Sequence, residues 1–583
     1  MDTSIRVYER QFLLLMIAAL LLIAPLVKAQ QRPSAVLQSA GQQWDSYTEQ
    51  FLNDYFAAHP DAAVWAGRHE FDGKLPDWSL AGLKRESDRL KSLRDRALAF
   101  KEDQLDERQR FERAYLLAQL DNQRFWLEVS GEPYSNPYFY ADALDPDTYV
   151  SREYAPLETR IKSFTEYARN VPQALQQIKA NLRLPLGKPL IKIGRRTIGG
   201  LAGFCGKDVV AIFAPVKDAA LQRDFSEANN VAIAAVNEFD AWLAAQEAKA
   251  TDEFSFGPER LSQMLKMTEG VDLPLDLLQA IGQRDLKRNR DALIEACAKF
   301  APGKSLEQCM VLAAAHKPKN PDPVKAASEQ LGMLRKFIED NNLVTIPGTE
   351  QAGVKQAPAY KAWNFAYINI PGSYEKNLPS YFYVAPPDPT WSKAAQDAYL
   401  PSEAVLTFTS AHEVYPGHFV QFLHANRSSS KIGQVFVGYA FSEGWAHYCE
   451  EMMYDAGLGN HDPEVHIGQL QEALLRNVRF LAAMGLHTKG MTVEQAKHMF
   501  IHDAYQDEGN AQQQAERGTF DPAYLNYTLG KLMIRKLRDD WTATLGGRSA
   551  WAQFHDEFLK FGGPPIPLIR RAMMGPDDKG TLF

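Results

Sequence analysis

His412-Glu413-Val414-Tyr415-Pro416-Gly417-His418 is the stretch on which the reading of this chain turns. Two imidazoles and a carboxylate beside the first are metal-ligand chemistry, set at the end of a helical pattern. The usual zincin motif places its histidines at i and i+4 on one helical face, with the Glu between them. Here they stand at i and i+6, and six residues at about 100° each leave them about 120° apart on a regular helix. A straight helix would not converge them. Proline removes a backbone donor and glycine permits unusual dihedrals, so Pro416-Gly417 predicts a local bulge of two extra residues that swings His418 back towards His412. The competing reading is a helix that ends at Tyr415, with a Pro-Gly turn and an incidental histidine.

Downstream, Gln434 to Asp455 reads as a helix, and Glu443, His447 and Glu450 fall at i, i+4 and i+7 on one face. Ionisable groups beside Phe441, Trp445 and Tyr448 are poor material for a plain core. Zinc takes His nitrogen and Glu oxygen, and a catalytic site uses three protein ligands and keeps one position open. His412, His418 and Glu443 are therefore the expected ligands, with Glu413 as general base. Glu450 and His447 are the expected partners that orient the ligand imidazoles. His447 in place of His418 is the alternative ligand set.

At these residues the chain resembles a known family. H-E-x-x-P-G-H at 412–418 and E-G-W-A-x-Y-x-x-E at 443–451 are similar to elements of bacterial domain-of-unknown-function family 885, which is grouped with the Glu-zincin metallopeptidases. A third element, Ala515-Glu516-Arg517, Pro522 and Tyr527-Thr528-Leu529-Gly530-Lys531, resembles that family's C-terminal pattern. The resemblance implies a mainly α, large multi-helix zincin-like fold, one Zn2+ and peptide substrates. The departure is Gly518, where an aromatic residue is expected after the Glu-Arg pair.

The N-terminus reads as a signal peptide over residues 1–29. Arg6 and Arg10 precede an apolar run of 16 residues from Phe12 to Val27, and Val27-Lys28-Ala29 gives a small-residue end. A spanning helix wants about 20 apolar residues, and no cysteine follows that would carry a lipid. The expected location is periplasmic or secreted, with no stable membrane partner unless the segment stays uncleaved. Net charge is −8, or −9 without those residues, which argues against a nucleic-acid partner and its basic face. Of four cysteines, Cys297 and Cys309 flank a Pro302-Gly303 loop and are candidates to pair in an oxidising compartment, while Cys205 and Cys449 read as buried thiols.

Outward from the motif, helical periodicity dominates. Amphipathic stretches cover 41–58, 79–128, 156–183, 216–249, 273–300 and 321–342, then 463–484, 492–505, 521–541 and 548–559. Residues 30–320 form an N-terminal helical region and 321–583 a metal-site region, the two making one unit around a cleft. Segment 132–150 reads as an irregular loop. Trp363–Ile370 and Ser380–Ala385 are aromatic and β-branched, and predict a small antiparallel sheet ahead of a metal helix that starts at Pro401 or Ser402. An edge of that sheet could bind an extended peptide.

Attack of activated water on an amide builds charge on the carbonyl oxygen. Tyr527 is the expected donor to that oxyanion, with Tyr524 as its competitor or a substrate contact. Arg517 could fork onto a substrate carboxylate, or pair with Glu516 or Asp521. Zinc-dependent hydrolysis of a peptide or small-protein substrate is the leading expectation. A metal-dependent hydrolase of another amide or ester, a non-catalytic peptide-binding protein and a non-haem iron site are the alternatives.

Overall fold

The computed structural model describes residues 39–358, 361 and 365–583. The expected signal peptide, and residues 363–364 of the first expected strand, lie outside the described residues. Among the described residues no helix is long and apolar enough to cross a membrane.

Helices form where the apolar spacing placed them, including Ala40–Ala58, Leu157–Asn181, Ala219–Gln246, Leu275–Phe300, Pro323–Asp340 and Pro463–Thr488. Boundaries differ where a local start signal was passed over. The stretch 79–128 is two helices, Leu80–Ala99 and Glu107–Arg124, because Asp106 and Gln109 form a reciprocal capping box that starts the second. The helix expected over 434–455 begins only at Tyr439, after a short helix Lys431–Val435. Gly438 is extended there, and its N–H donates to the Gly563 carbonyl at 2.7 Å instead of joining a helix. Segment 132–150 winds into short helical turns that bury Tyr140, Leu144 and Tyr149.

The sheet has three strands in the order β1-β3-β2: β1 Ala352–Gln356, β2 Ala366–Asn369 and β3 Ser380–Val384. β2 and β3 pair antiparallel, with Tyr367 opposite Tyr383 and their rings stacked 4.9 Å apart. β1, which pairs parallel to β3, was not foreseen. Ala-Gly-Val-Lys-Gln lacks the β-branched alternation that marks a strand.

The largest apolar core includes Leu261, Leu293, Leu334, Phe408, Trp445, Val478 and Leu529, and so is continuous across position 320. A second gathers around Phe164, Phe213 and Phe239, and a third around Trp44, Phe51 and Tyr115. The third reaches the C-terminal half through Ile432 and Phe436. Cys297 and Cys309 are disulfide-bonded, and Cys205 and Cys449 are buried thiols.

Candidate metal centre

Ser402 caps the helix Glu403–Glu413, its hydroxyl accepting from the Val405 N–H at 3.3 Å. The helix stops at Glu413, Val414 leaves helical geometry (φ −121°, ψ −74°), and a new helix, His418–Ala425, begins at the second histidine. The expected bulge inside one helix is therefore a full break between two helices. Gly417 makes the break tight enough: its N–H donates to the Ala411 carbonyl at 2.9 Å, and a Cβ there would lie 1.7 Å from the His412 carbonyl oxygen. Any side chain would force the turn open. Folded back this way, the His412 and His418 rings stand perpendicular with centroids 4.9 Å apart.

Glu443 comes from the helix Tyr439–Asp455. Its Oε2 is 3.3 Å from Nε2 of His412 and 3.3 Å from Nε2 of His418. One ligand atom from each of the three lies within 4.8 Å of the others, and among the described residues this is the single such group of His, Cys, Asp or Glu.

Each imidazole is fixed from behind. Glu450 Oε1 lies 2.7 Å from Nδ1 of His412, and Ser442 Oγ lies 3.2 Å from Nδ1 of His418 while donating to Gln421 Oε1 at 3.1 Å. In its neutral form each ring, with Nδ1–H donating outward, would turn its Nε2 lone pair to the shared point. Glu450 is held by His447 Nδ1 at 3.0 Å and by Arg476 at 3.3 Å. His447 thus supports Glu450 and is not one of the three residues of the candidate ligand group.

The electrostatics fit a cation. Burial pushes the Glu443 carboxyl up, but His418 and His412 overcome it and hold it well below the usual carboxylate range. Burial lowers the His412 pKa, yet Glu443 and Glu450 raise it to about 9. The pocket between these side chains therefore favours positive charge. Burial raises the Glu413 carboxyl, against the pull of His412 and His418. Among the described residues no hydrogen bond or ion pair engages the Glu413 carboxylate, which lines the cleft beside the metal group.

Tyr527 reaches the site because two glycines let two helices touch. Gly444 of the Glu443 helix packs on Gly530 of the helix Asn526–Thr542, and a Cβ on Gly444 would lie 2.5 Å from the Gly530 Cα. That crossing sets Tyr527, one turn before Gly530, next to Glu443's end of its helix. The Tyr527 ring lies nearly parallel to His412 at 6.1 Å, and both line the same cleft. Lys531, fully buried, bonds Asp285 at 3.0 Å and Glu451 at 3.3 Å, tying the same two helices together.

Of the two roles the sequence left open for Arg517, the structure shows the pairing with Asp521, and the side chain does not line the cleft. It donates to Asp521 at 2.9 Å, to the Tyr439 hydroxyl at 2.8 Å and to the Tyr527 hydroxyl at 3.3 Å, so it braces the tyrosine from behind. Tyr524 is fully buried and away from the cleft, and its hydroxyl occupies the space a side chain at 518 would need, 2.3 Å from a Cβ built on Gly518. Glycine stands at 518 because Tyr524 fills that space.

The cleft has a volume of about 710 Å³ and runs from Phe365 and Ala366 beside β2, past His412, Glu413 and Tyr527, to Arg476 and Arg479. Sequence reading missed those two arginines, along with Ser442 and Gln421. The signal was present: Leu474-Leu475-Arg476-Asn477-Val478-Arg479-Phe480 puts two cations one turn apart in an otherwise apolar helix.

Comparison with known proteins agrees with this architecture. The model of a family described as "Bacterial protein of unknown function (DUF885)" matches residues 60–573. A solved structure described as "a putative lipoprotein of unknown function from Shewanella oneidensis" superimposes with a TM-score of 0.75 at 23% identity, covering 91% of this chain and 99% of that one. Another, "the putative lipoprotein from Colwellia psychrerythraea", gives 0.76 at 18% identity, over 92% and 99%. Both show the same mainly helical fold. No curated protein matches the chain.

Proposed function

Because the chain belongs to the bacterial protein family of unknown function DUF885, whose definition carries no activity, we propose its function from the site itself: a zinc-dependent peptidase acting outside the cytoplasm. The observation that carries the reading is the convergence of His412 Nε2, His418 Nε2 and Glu443 Oε2 beside the unengaged carboxylate of Glu413. Two imidazoles and one carboxylate, with both outer nitrogens anchored, are a donor set that suits zinc. Zinc held there would acidify a water molecule to a pKa near 7 and polarise a carbonyl.

Glu413 would take the proton of the attacking water on its carboxylate and pass it to the leaving amine. Its burial, which raises the carboxyl, brings its proton affinity closer to that task. The Tyr527 hydroxyl would donate to the oxyanion, with Arg517 holding the tyrosine in place. β2 has β3 as its neighbour in the sheet, and Phe365 and Ala366 at its start line the cleft, which supports an extended peptide laid along that strand. The N-terminal apolar run, the similarity to proteins described as lipoproteins and the Cys297–Cys309 disulfide all support an exported protein.

Glu413→Gln tests the mechanism. It should keep zinc and fold while losing about 100-fold to 10,000-fold in hydrolysis of a peptide library, the usual range for a general base. A metal-loaded variant with wild-type turnover removes Glu413 from the chemistry. A wild-type protein that binds zinc but cleaves no peptide leaves the site to another amide or ester.

A further inference from the structure

Arg479 stands out among the buried cations. It is 4% exposed, on the helix Pro463–Thr488, and its Nε donates to Gln514 Oε1 at 2.8 Å. Its guanidinium carbon sits 4.6 Å from the Tyr527 ring centroid, and the side chain lines the metal cleft. Among the described residues no carboxylate pairs with it. Its neighbours differ: Arg476 is paired with Glu450 and Glu472, and Arg517 with Asp521. Burial, with Arg517 and Arg476 nearby, lowers its pKa to about 10, partly offset by Tyr527. A buried guanidinium without an anion is unfavourable unless something supplies one. The free face of its planar fork matches a carboxylate in two parallel hydrogen bonds.

We propose that Arg479 receives a substrate carboxylate, the free C-terminal carboxylate of a peptide whose scissile carbonyl lies at the metal centre. This rests on the peptidase reading and narrows it to release of a short C-terminal fragment. The geometry sets the length. The Tyr527 ring is 6.1 Å from the His412 ring and 4.6 Å from the guanidinium carbon, so the two distances together set an upper limit on the span to be bridged. Extended peptide covers about 3.3–3.6 Å per residue, so one to three residues fit on the leaving side. An acidic side chain near the scissile bond offers the same chemistry, and the test separates the two sources.

The experiment compares N-blocked peptides of one sequence with a free or an amidated C-terminus, and a second pair with Asp or Asn near the amidated end. The zinc-loaded enzyme is used, and every fragment is identified by mass. Amidation should lower kcat/KM by about 30-fold or more, the usual consequence of removing one partner of a buried charged pair. Arg479→Gln should lose that discrimination and Arg479→Lys should keep part of it. Binding of the free and amidated product peptides to zinc-loaded Glu413→Gln protein gives a readout without turnover and should show the same preference.

Equal cleavage of acid and amide, with scattered internal sites, overturns the proposal while leaving the peptidase standing. Discrimination by the Asp peptide alone overturns the C-terminal assignment. Absence of any cleavage, with binding that ignores the carboxylate, removes both. Should Arg479→Gln not fold, the wild-type acid and amide comparison still decides.

Discussion

Replacing Glu450 with glutamine isolates the part of the site that lies behind the proposed metal position. The Glu450 side chain is fully buried, with Oε1 2.7 Å from His412 Nδ1 and 3.3 Å from Arg476, and Oε2 3.0 Å from His447 Nδ1. Glutamine keeps the volume but offers one acceptor oxygen, and its NH2 group cannot accept from either imidazole. At least one buried donor then loses its partner, at about 1–3 kcal/mol. Arg476 keeps Glu472, so the full loss of about 3–5 kcal/mol for a broken buried pair is not expected. For the metal, loss of such an anchor typically weakens affinity about 10-fold to 100-fold, or about 1.4–2.8 kcal/mol.

Competition with a chromogenic chelator at fixed pH measures the affinity, and urea unfolding of metal-free protein measures the stability. The pH dependence has a definite sign. Burial raises the Glu450 carboxyl, but Arg476, His447 and His412 together hold it well below the usual range. Its stabilisation is therefore present above the unfolded carboxylate pKa of about 4.3 and is lost as pH falls through the native value. The stability gap between wild type and variant should be flat from about pH 6 to 8 and shrink below about pH 4. A folded Glu450→Gln protein that binds zinc as tightly as wild type would refute the idea that Glu450 orients a ligand.

Two further outcomes are expected. Tyr527→Phe should lower kcat about 100-fold with KM nearly unchanged, as for loss of one oxyanion donor, whereas Tyr524→Phe, whose hydroxyl is buried away from the cleft, should leave turnover alone; the reverse pattern moves the role to Tyr524. Burial raises the Glu269 carboxyl to about 7 against hydrogen bonds that lower it, so the native state loses stability between the unfolded carboxylate pKa of about 4.3 and that value as pH rises. Glu269→Gln should flatten that part of the urea stability profile, and an unchanged slope would show that Glu269 is not its source.

Much of this architecture was readable because it depends on local signals. Apolar spacing located most helices, and His412, His418 and Glu443 could be singled out as a candidate ligand group from residue type and order alone. How they meet could not. The choice between a bulge and a break depends on Gly417 packing against the His412 carbonyl, a contact made only when the chain folds back. Tyr527 was singled out by resemblance, but its position comes from the Gly444–Gly530 crossing between segments some 80 residues apart in sequence. For Arg517 the sequence leaves a substrate carboxylate and a pairing with Glu516 or Asp521 both open; the fold supplies Asp521 and Tyr439, and only packing reveals that Tyr439 is there. Arg476 and Arg479 were not legible as site residues because they sit within the apolar pattern Leu474-Leu475 to Phe480, where helical periodicity marks only a buried face.

The most direct test of the account is elemental analysis of purified full-length protein beside His418→Ala, both dialysed against buffer containing trace zinc. Convergence of His412, His418 and Glu443 predicts about one zinc per wild-type chain, as in sites with three protein ligands, and loss of most of it in the variant. Wild-type protein without zinc, or a His418→Ala protein that retains the full complement, contradicts the metal site on which the proposed chemistry stands.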